Sequence, residues 1–325
     1  MKTSKDAIRV VQVGLGAIGL ATAKVVGEKR SLRLVGAVDI NPEAKIDGNV
    51  PVYRTIADCV RRHPADVAIL TTGSKFPGVM PQIMEMFDAG LRVVSSCEEL
   101  LFPWYRYARQ ADALDRAAQR AGLACLGTGV NPGFVMDTLP LVISGVCQRV
   151  DRVRVWRVQD VARRRPQLGR KVGGGLSAQE FRRLVREGKM GHVGLQESLA
   201  LVAHGLGWKL DKIAETIKPV IAKRDCGTKY VKVKAGQVAG VWQVAAGIAG
   251  GRELIRLDLR MFMAAPDPRD EILIDGVPPM HVVIPGATRG DHATAAILAN
   301  CVPRILEAKP GLRTMLDIAP PRMAP

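Results

Sequence analysis

The sequence predicts an α/β chain in two parts: a parallel sheet covered by helices, then an α+β part. Three observations predict it. Short β-branched runs alternate with helix-length segments up to residue 127, a glycine triplet follows the first run, and strand follows strand from 230 to 284. Strands separated by helices imply βαβ units and a parallel sheet; strands separated only by turns imply hairpins.

Ile8–Val13 is the first strand, and Ala17–Gly27 is a helix that ends at glycine. Leu32–Asp39 is a strand, Thr55–His63 a short helix and Val67–Thr72 a strand. Gly78–Ala89 is a helix stopped by Gly90, followed by the strand Leu91–Ser96. Trp104–Ala121 is a long helix closed by Gly122, and Leu123–Gly127 is the next strand. Asp151–Val161 then alternates as a strand does. Ser177 and Glu180 form an S-x-x-E capping box before Phe181–Arg186, with Gly188 ending that helix. Gly194–His204 and Asp211–Lys218 read as helices. Tyr230–Val233, Gln237–Ile248, Glu253–Met263, Glu271–Ile274 and His281–Ile284 read as an antiparallel meander. Asp291–Glu307 returns as a helix with Pro303 inside it, and the proline-rich tail Pro310–Pro325 is expected over the surface. The expected boundaries are 1–135 for the first domain, completed by 290–325, and 136–289 for the second.

The chain has 325 residues, 47% hydrophobic and 24% charged, which suits two buried cores and excludes a disordered chain. The best candidate for a membrane span, Ala235–Gly251, is short, rich in glycine and carries Gln237 and Gln243, so no membrane partner is expected. Met1–Asp6 is charged and an apolar run follows, but Arg9 and Gln12 interrupt it and glycines replace a cleavage site, so the run is read as a strand. The net charge of +16 is spread along the chain, with one dense cluster at Arg163–Arg165, Arg170 and Lys171. No nucleic-acid recognition element accompanies it, and a solvated basic face is expected. Six cysteines without a CxxC pair, several in apolar stretches, read as reduced thiols of a cytoplasmic protein. Five scattered histidines without HExxH give no expected metal site.

Gly14-Leu15-Gly16-Ala17-Ile18-Gly19 is G-x-G-x-x-G between a strand and a helix. The first glycine makes the turn, the second admits a pyrophosphate to the backbone, and the third lets helix and strand pack closely. The helix start then offers free N–H groups and a positive dipole end. Asp39, twenty residues past Gly19 at the end of the next strand, completes the dinucleotide-binding fingerprint of a Rossmann domain. The plain alternative is a glycine-rich turn, with Asp39 capping the loop at Asn41-Pro42. A carboxylate at 39 accepts ribose hydroxyls and repels a 2′-phosphate, and Ile40-Asn41-Pro42 supplies no arginine. NAD is therefore favoured, with NADP possible.

Ligands of open parallel sheets bind outside the carboxyl ends of the strands. Three segments arrive there: Thr71-Thr72-Gly73-Ser74, Ser95-Ser96-Cys97-Glu98-Glu99 and Gly127-Thr128-Gly129-Val130-Asn131-Pro132-Gly133. Thr72, Gly73, Ser96 and Asn131 are candidate cofactor contacts. Glu98 and Glu99 are candidate acid/base groups. A carboxylate suits chemistry with cationic intermediates: it holds an ammonium ion, stabilises an iminium and moves protons. The bland reading of both acids is helix capping and solvation.

These segments carry a resemblance. GLGAIG at Gly14–Gly19, SSCEEL at Ser95–Leu100, GTGVNPGFVMDTLP at Gly127–Pro140, GHVGLQESLALVAHGLGW at Gly191–Trp208 and GDHATAAILANCVPRILEAKPGLRTM at Gly290–Met315 resemble dihydrodipicolinate reductase-like oxidoreductases. They are most similar to the subgroup of 2,4-diaminopentanoate dehydrogenase and the native amine dehydrogenases. The resemblance implies NAD(P)-dependent interconversion of an amine with a ketone or aldehyde plus ammonia. It implies a homodimer built on the sheet of the second domain, and it makes the glutamate of the CEE segment, Glu98 or alternatively Glu99, the catalytic acid/base. Thr128 and Asn131 match a loop at the nicotinamide and substrate end. The paired lysine and histidine of true dihydrodipicolinate reductases are missing, which counts against the lysine-pathway activity.

Further substrate-pocket candidates are His192, equally a cap of the following helix, and Phe134, Met136 and Trp156, for each of which core packing is the better expectation. Arg163–Arg165 facing a substrate carboxylate is the weaker reading beside a surface role. Two other functions stay open: a reductase of a preformed imine or unsaturated ring, and a non-catalytic dinucleotide-sensing protein.

Overall fold

The computed structural model describes residues 7–163, 169, 172–228 and 230–325. The chain divides into two compact units, Met1–Phe134 with Arg289–Pro325, and Val135–Thr288.

The first unit is a seven-stranded sheet. Its elements are β1 (Ile8–Val13), α1 (Ala17–Glu28), β2 (Leu32–Val38), β3 (Val52–Tyr53), α2 (Ile56–Arg62), β4 (Val67–Leu70) and α3 (Phe76–Asp88). They continue as β5 (Arg92–Ser95), a 3-10 turn at Glu98–Leu101, α4 (Trp104–Ala121) and β6 (Ala124–Gly127). The strands run β15-β6-β5-β4-β1-β2-β3, where β15 is Gly311–Arg313, and every pairing is parallel. Chain order reverses between β1 and β4, which makes that crevice the topological switch point of a Rossmann sheet. Strands covered on both faces read as continuous apolar runs, and Val67, Ala68, Ile69 and Leu70 are fully buried accordingly. The return helix α8 (Gly290–Glu307) packs on α1 and on β4, β5 and β6.

The tail departs from expectation. Gly311–Arg313 is not laid over the surface but extends the sheet beside β6, with Leu312 buried. The Leu312 N–H donates to Asp115 on α4 at 2.8 Å, and Arg313 pairs with the same carboxylate at 3.1 Å. Three residues next to a proline are too few to show a period, so the strand is set by its neighbours.

The second unit is a six-stranded sheet with helices on one face. Its elements are α5 (Thr138–Ser144), β7 (Arg149–Asp160), α6 (Ala178–Arg186), α7 (Leu195–Gly205), β8 (Lys212–Ile221), β9 (Cys226–Gly227), β10 (Lys232–Val233), β11 (Val238–Ala249), β12 (Arg252–Phe262), β13 (Arg269–Val277) and β14 (Met280–Pro285). The Ser177 hydroxyl accepts the Glu180 N–H at 3.1 Å, which caps α6. Helix α5, which periodicity does not reveal, is capped by Asp137.

Two expectations are corrected. Residues 211–218 are not a helix; Lys212–Ile221 is the edge strand β8, paired along its length with β11. Ile213 and Ile217, four apart, fit both a helical face and a strand face. Glu215 between them points to the same side, where Gln196 and Gln243 each donate to its carboxylate at 2.8 and 2.9 Å. The meander is also interrupted. The order is β14-β13-β7-β12-β11-β8, with β7 inserted between β12 and β13 and parallel to β12, so the sheet is mixed.

Register assigns the two faces of this sheet. Val155, Arg157, Gln243, Leu257 and Leu259 share the face on which α5 and α7 pack. The buried pair Arg157–Asp270 lies there at 2.6 Å, and both partners also hold Thr288: Arg157 donates to its carbonyl at 2.8 Å and Asp270 accepts its N–H at 2.7 Å. Trp156, Trp242, Arg154, Arg260 and Asp258 share the opposite face. There Arg260 lies over the Trp242 ring at 4.8 Å and Arg154 over the Trp156 ring at 5.8 Å.

All six cysteines are free, with Cys59, Cys97, Cys125 and Cys301 buried. Burial pushes the Cys59 thiol up to about 11 and the Cys301 thiol up to about 12. Among the described residues no helix is long and apolar enough to cross a membrane.

Candidate functional site

The glycine triplet lies at the switch point. Gly14 adopts φ +86, and its N–H donates to Val38 O at 2.8 Å, which ties the turn to the end of β2. Gly16 caps α1 and a Cβ there would meet nothing within 4 Å. Gly19 is buried, and a Cβ there would overlap the Gly14 carbonyl oxygen. Each glycine thus serves a separate need: a turn, an open approach, and a close packing contact. Ala17 is exposed and Ile18 half-buried at the helix start, and the first turn of α1 carries no acid to oppose an anion.

Asp39 follows β2. Its Oδ2 accepts the Leu15 N–H at 2.6 Å and its Oδ1 accepts the Asn41 N–H at 2.8 Å. The ribose-binding and loop-capping readings are therefore compatible, because each carboxylate oxygen keeps a second lone pair. The loop after β1 is held from beneath by Gln12, which sequence reasoning passed over. Its amide is fully buried and donates to Gly14 O at 3.1 Å and to the Thr71 hydroxyl at 2.9 Å.

After β4, Thr72 and Gly73 are exposed, and the Thr72 hydroxyl donates to Gln82 at 2.8 Å. After β5, the Ser96 N–H donates to Leu70 O at 3.0 Å, and the chain turns into the 3-10 segment at Glu98. After β6, the Thr128 N–H donates to Ser95 O at 2.8 Å, and the Val130 N–H donates to the Thr294 hydroxyl of α8 at 3.3 Å. Thr128 is buried and Asn131 and Phe134 half-buried. The β5 and β6 loops touch through Gly127, where a Cβ would stand 2.5 Å from the Leu100 carbonyl carbon. The three carboxyl-end loops are thus one assembly.

The two acids differ in surroundings. Glu99 is 2% exposed, whereas Glu98 is half-buried at the opening of the turn. Glu99 Oε1 pairs with Lys75 Nζ at 2.8 Å and Oε2 accepts the Phe76 N–H at 2.9 Å, so its carboxylate closes the start of α3. The Glu99 carboxylate, by hydrogen bond and charge, raises the Lys75 ammonium above its usual value of 10.5. Burial and then the Glu99 charge raise the Tyr107 hydroxyl.

In the second unit, the backbone of His192 is clamped by Gln243. The His192 N–H donates to Oε1 at 2.7 Å, and Nε2 donates to the His192 carbonyl at 2.9 Å. His192 lies against the helical face of the sheet, whereas Trp156 stands on the other face. Strand alternation therefore keeps these two from lining one pocket within this unit. Met136 is fully buried. The cluster Arg163–Arg165, Arg170 and Lys171 lies outside the described side chains.

A parallel sheet with a glycine loop at its switch point, joined to a mixed-sheet unit, is the architecture of a two-domain Rossmann protein. Comparison with known proteins gives the family. The model of the 2,4-diaminopentanoate dehydrogenase C-terminal domain matches residues 134–324, and a CoA binding domain model matches residues 5–98. A 2,4-diaminopentanoate dehydrogenase of Acetoanaerobium sticklandii is 30% identical over 98% of this chain and 95% of its own length. An amine dehydrogenase of Streptomyces virginiae is 24% identical, covering 96% of each chain. The structure of an amine dehydrogenase from Mycobacterium smegmatis shares the fold, with a TM-score of 0.84 at 20% identity over 99% of this chain and 98% of that one. The chain belongs to the 2,4-diaminopentanoate dehydrogenase family. It is an oxidoreductase.

Proposed function

We propose that the protein is an NAD-dependent amine dehydrogenase, with Glu98 as the acid/base group. The observation that carries the assignment is the engagement of Glu99 with Lys75 and Phe76, which makes Glu99 a helix-closing residue. Glu98 is then the acid at the mouth of β5.

The glycine loop fits a dinucleotide: Gly16 opens onto empty space at an acid-free helix start, and Asp39 is fixed beside it. Gly14–Gly19 would hold the pyrophosphate and Asp39 the adenosine ribose hydroxyls. Thr72, Gly73, Ser96 and Asn131 would line the remainder of the cofactor groove. When bound, the nicotinamide supplies a hydride donor or acceptor.

Glu98 holds ammonia as ammonium beside the substrate carbonyl. It takes a proton as the C–N bond forms and returns one as water leaves. Its negative charge then stabilises the iminium, which accepts hydride at carbon. In amination, one carbonyl, one ammonium, one NADH and one proton become one alkylammonium, one NAD and one water. Oxidative deamination is the reverse.

The second unit is assigned to substrate binding and dimerisation, with Met136 and His192 as its pocket candidates; Thr128 and Phe134 are the candidates of the first unit. The sheet face bearing Trp156 and Trp242 carries both signs of charge, Arg154, Arg256 and Arg260 with Asp258 and Glu271. Such a surface complements itself across a two-fold axis. Sedimentation at two-chain mass supports this pairing; monomeric sedimentation opposes it. Free, buried thiols support a reducing compartment, the cytoplasm.

The test is NADH oxidation at 340 nm with small ketones, aldehydes and 2-amino-4-oxopentanoate, with and without ammonium. The proposal requires oxidation that needs both carbonyl and ammonium. Oxidation without ammonium indicates a carbonyl or ring reductase and removes the role given to Glu98.

A further inference from the structure

Glu99 does more than close one helix. Its backbone N–H donates to Ser74 O at 3.3 Å, and its carboxylate takes Lys75 Nζ at 2.8 Å and the Phe76 N–H at 2.9 Å. The Tyr107 hydroxyl, on α4, is raised by burial and then by the charge of the same carboxylate. Helix α4 departs from helical geometry at Tyr107, with φ −129 and ψ 44, and the Tyr107 ring packs on Phe76 at 5.8 Å. On the other side of the turn, Gly127 lets β6 press against Leu100 and Leu101. The turn that carries Glu98 is therefore held by groups from β6, α3 and α4.

Charge is arranged around the same carboxylate. Lys75 pairs with Glu99 from the β4–α3 loop, Tyr107 on α4 feels its charge, Arg106 on α4 acts on both Lys75 and Tyr107, and Glu98 and Glu99 both act on Cys97. The β6 side, residues 126–130, contributes no charged side chain. Burial first, and both acids after it, push the Cys97 thiol up to about 12, so it stays neutral.

We propose that Glu99, with Lys75 and Tyr107, is a positioning group for Glu98, fixing the turn and setting the charge next to the reacting carboxylate. This rests on Glu98 being the acid/base group. A cap that served stability alone would act on folding and leave the titration of Glu98 where it was.

The experiment compares Glu99→Gln, Lys75→Met and Tyr107→Phe by NADH binding, kcat, KM and the pH profile of kcat. Glu99→Gln removes the negative charge of the residue that follows Glu98 in the turn, so the acid limb moves to lower pH. Lys75→Met uncovers that charge, so the limb moves to higher pH. In both, kcat falls about tenfold or more while the Kd for NADH changes by less than about twofold. Tyr107→Phe, the mildest change, lowers kcat severalfold with the Kd for NADH unchanged, and serves if the other two fold poorly. Wild-type kcat with an unmoved acid limb in Glu99→Gln overturns the proposal, as do shifts of the same sign in the two charge variants. If all three fold poorly, Tyr107→Phe included, the role is structural and the proposal fails. The underlying reading fails separately: full activity in Glu98→Gln removes Glu98 whatever Glu99 does.

Discussion

The Oδ2 of Asp39 accepts the backbone N–H of Leu15 at 2.6 Å, so the acid that ends β2 also holds the loop that follows β1. In the proposed binding mode, cofactor recognition and loop shape are coupled through one carboxylate. Replacing Asp39 by alanine removes a charge-assisted bond to the loop amide and a ribose acceptor together. Such a bond is worth about 1.5–3 kcal/mol, which corresponds to a rise in the Kd for NADH of roughly tenfold to a hundredfold. Preference for NADH over NADPH narrows as well, because the repelling charge is gone. Fluorescence titration with both nucleotides checks this; an unchanged Kd for NADH contradicts it.

Gly19 and Gly16 separate folding from binding. Alanine at 19 drives a methyl into the Gly14 carbonyl oxygen, and the urea midpoint falls by the equivalent of about 1–3 kcal/mol. Alanine at 16 meets no protein atom within 4 Å, so the urea midpoint stays near wild type. In the proposed binding mode the methyl stands where the pyrophosphate approaches the backbone, so NADH binding should weaken. Equal effects of both substitutions on stability would contradict the assignment.

Arg157→Met leaves Asp270 buried without its cation. Asp270 is 1% exposed, and its remaining partner at Thr288 is a neutral N–H. Breaking a buried pair from one side costs about 3–5 kcal/mol. Thermal and urea unfolding should show that loss. The double variant Arg157→Met with Asp270→Leu should recover part of it, since it removes the stranded charge as well.

Much of the first unit was legible because its signals are local. Apolar runs of four to six residues, the glycine triplet and Asp39 each constrain one segment, and the strands from Ile8 to Gly127 stand where periodicity sets them, except the two-residue β3 at Val52–Tyr53, which no pattern reveals. Less was legible where neighbours decide. Residues 212–221 carry isoleucines four apart, a spacing shared by helix and strand, and pairing with β11 chooses the strand. The strand at 311–313 exists because β6 offers an open edge. Within the site, spacing brought Glu98 and Glu99 to the end of β5 without distinguishing them. The distinction comes from Lys75 and Tyr107, 24 residues before and 8 residues after Glu99, which no short-range pattern connects to it. Gln243 was equally hidden: its two bonds to the His192 backbone span 51 residues.

The most direct test of the central claim is steady-state turnover of Glu98→Gln in the amination direction, alongside its Kd for NADH. NADH oxidation should fall by at least about a hundredfold, the contribution of a positioned acid/base group, with the Kd for NADH within about twofold of wild type. Turnover at the wild-type rate would contradict it and would show that another group moves the protons.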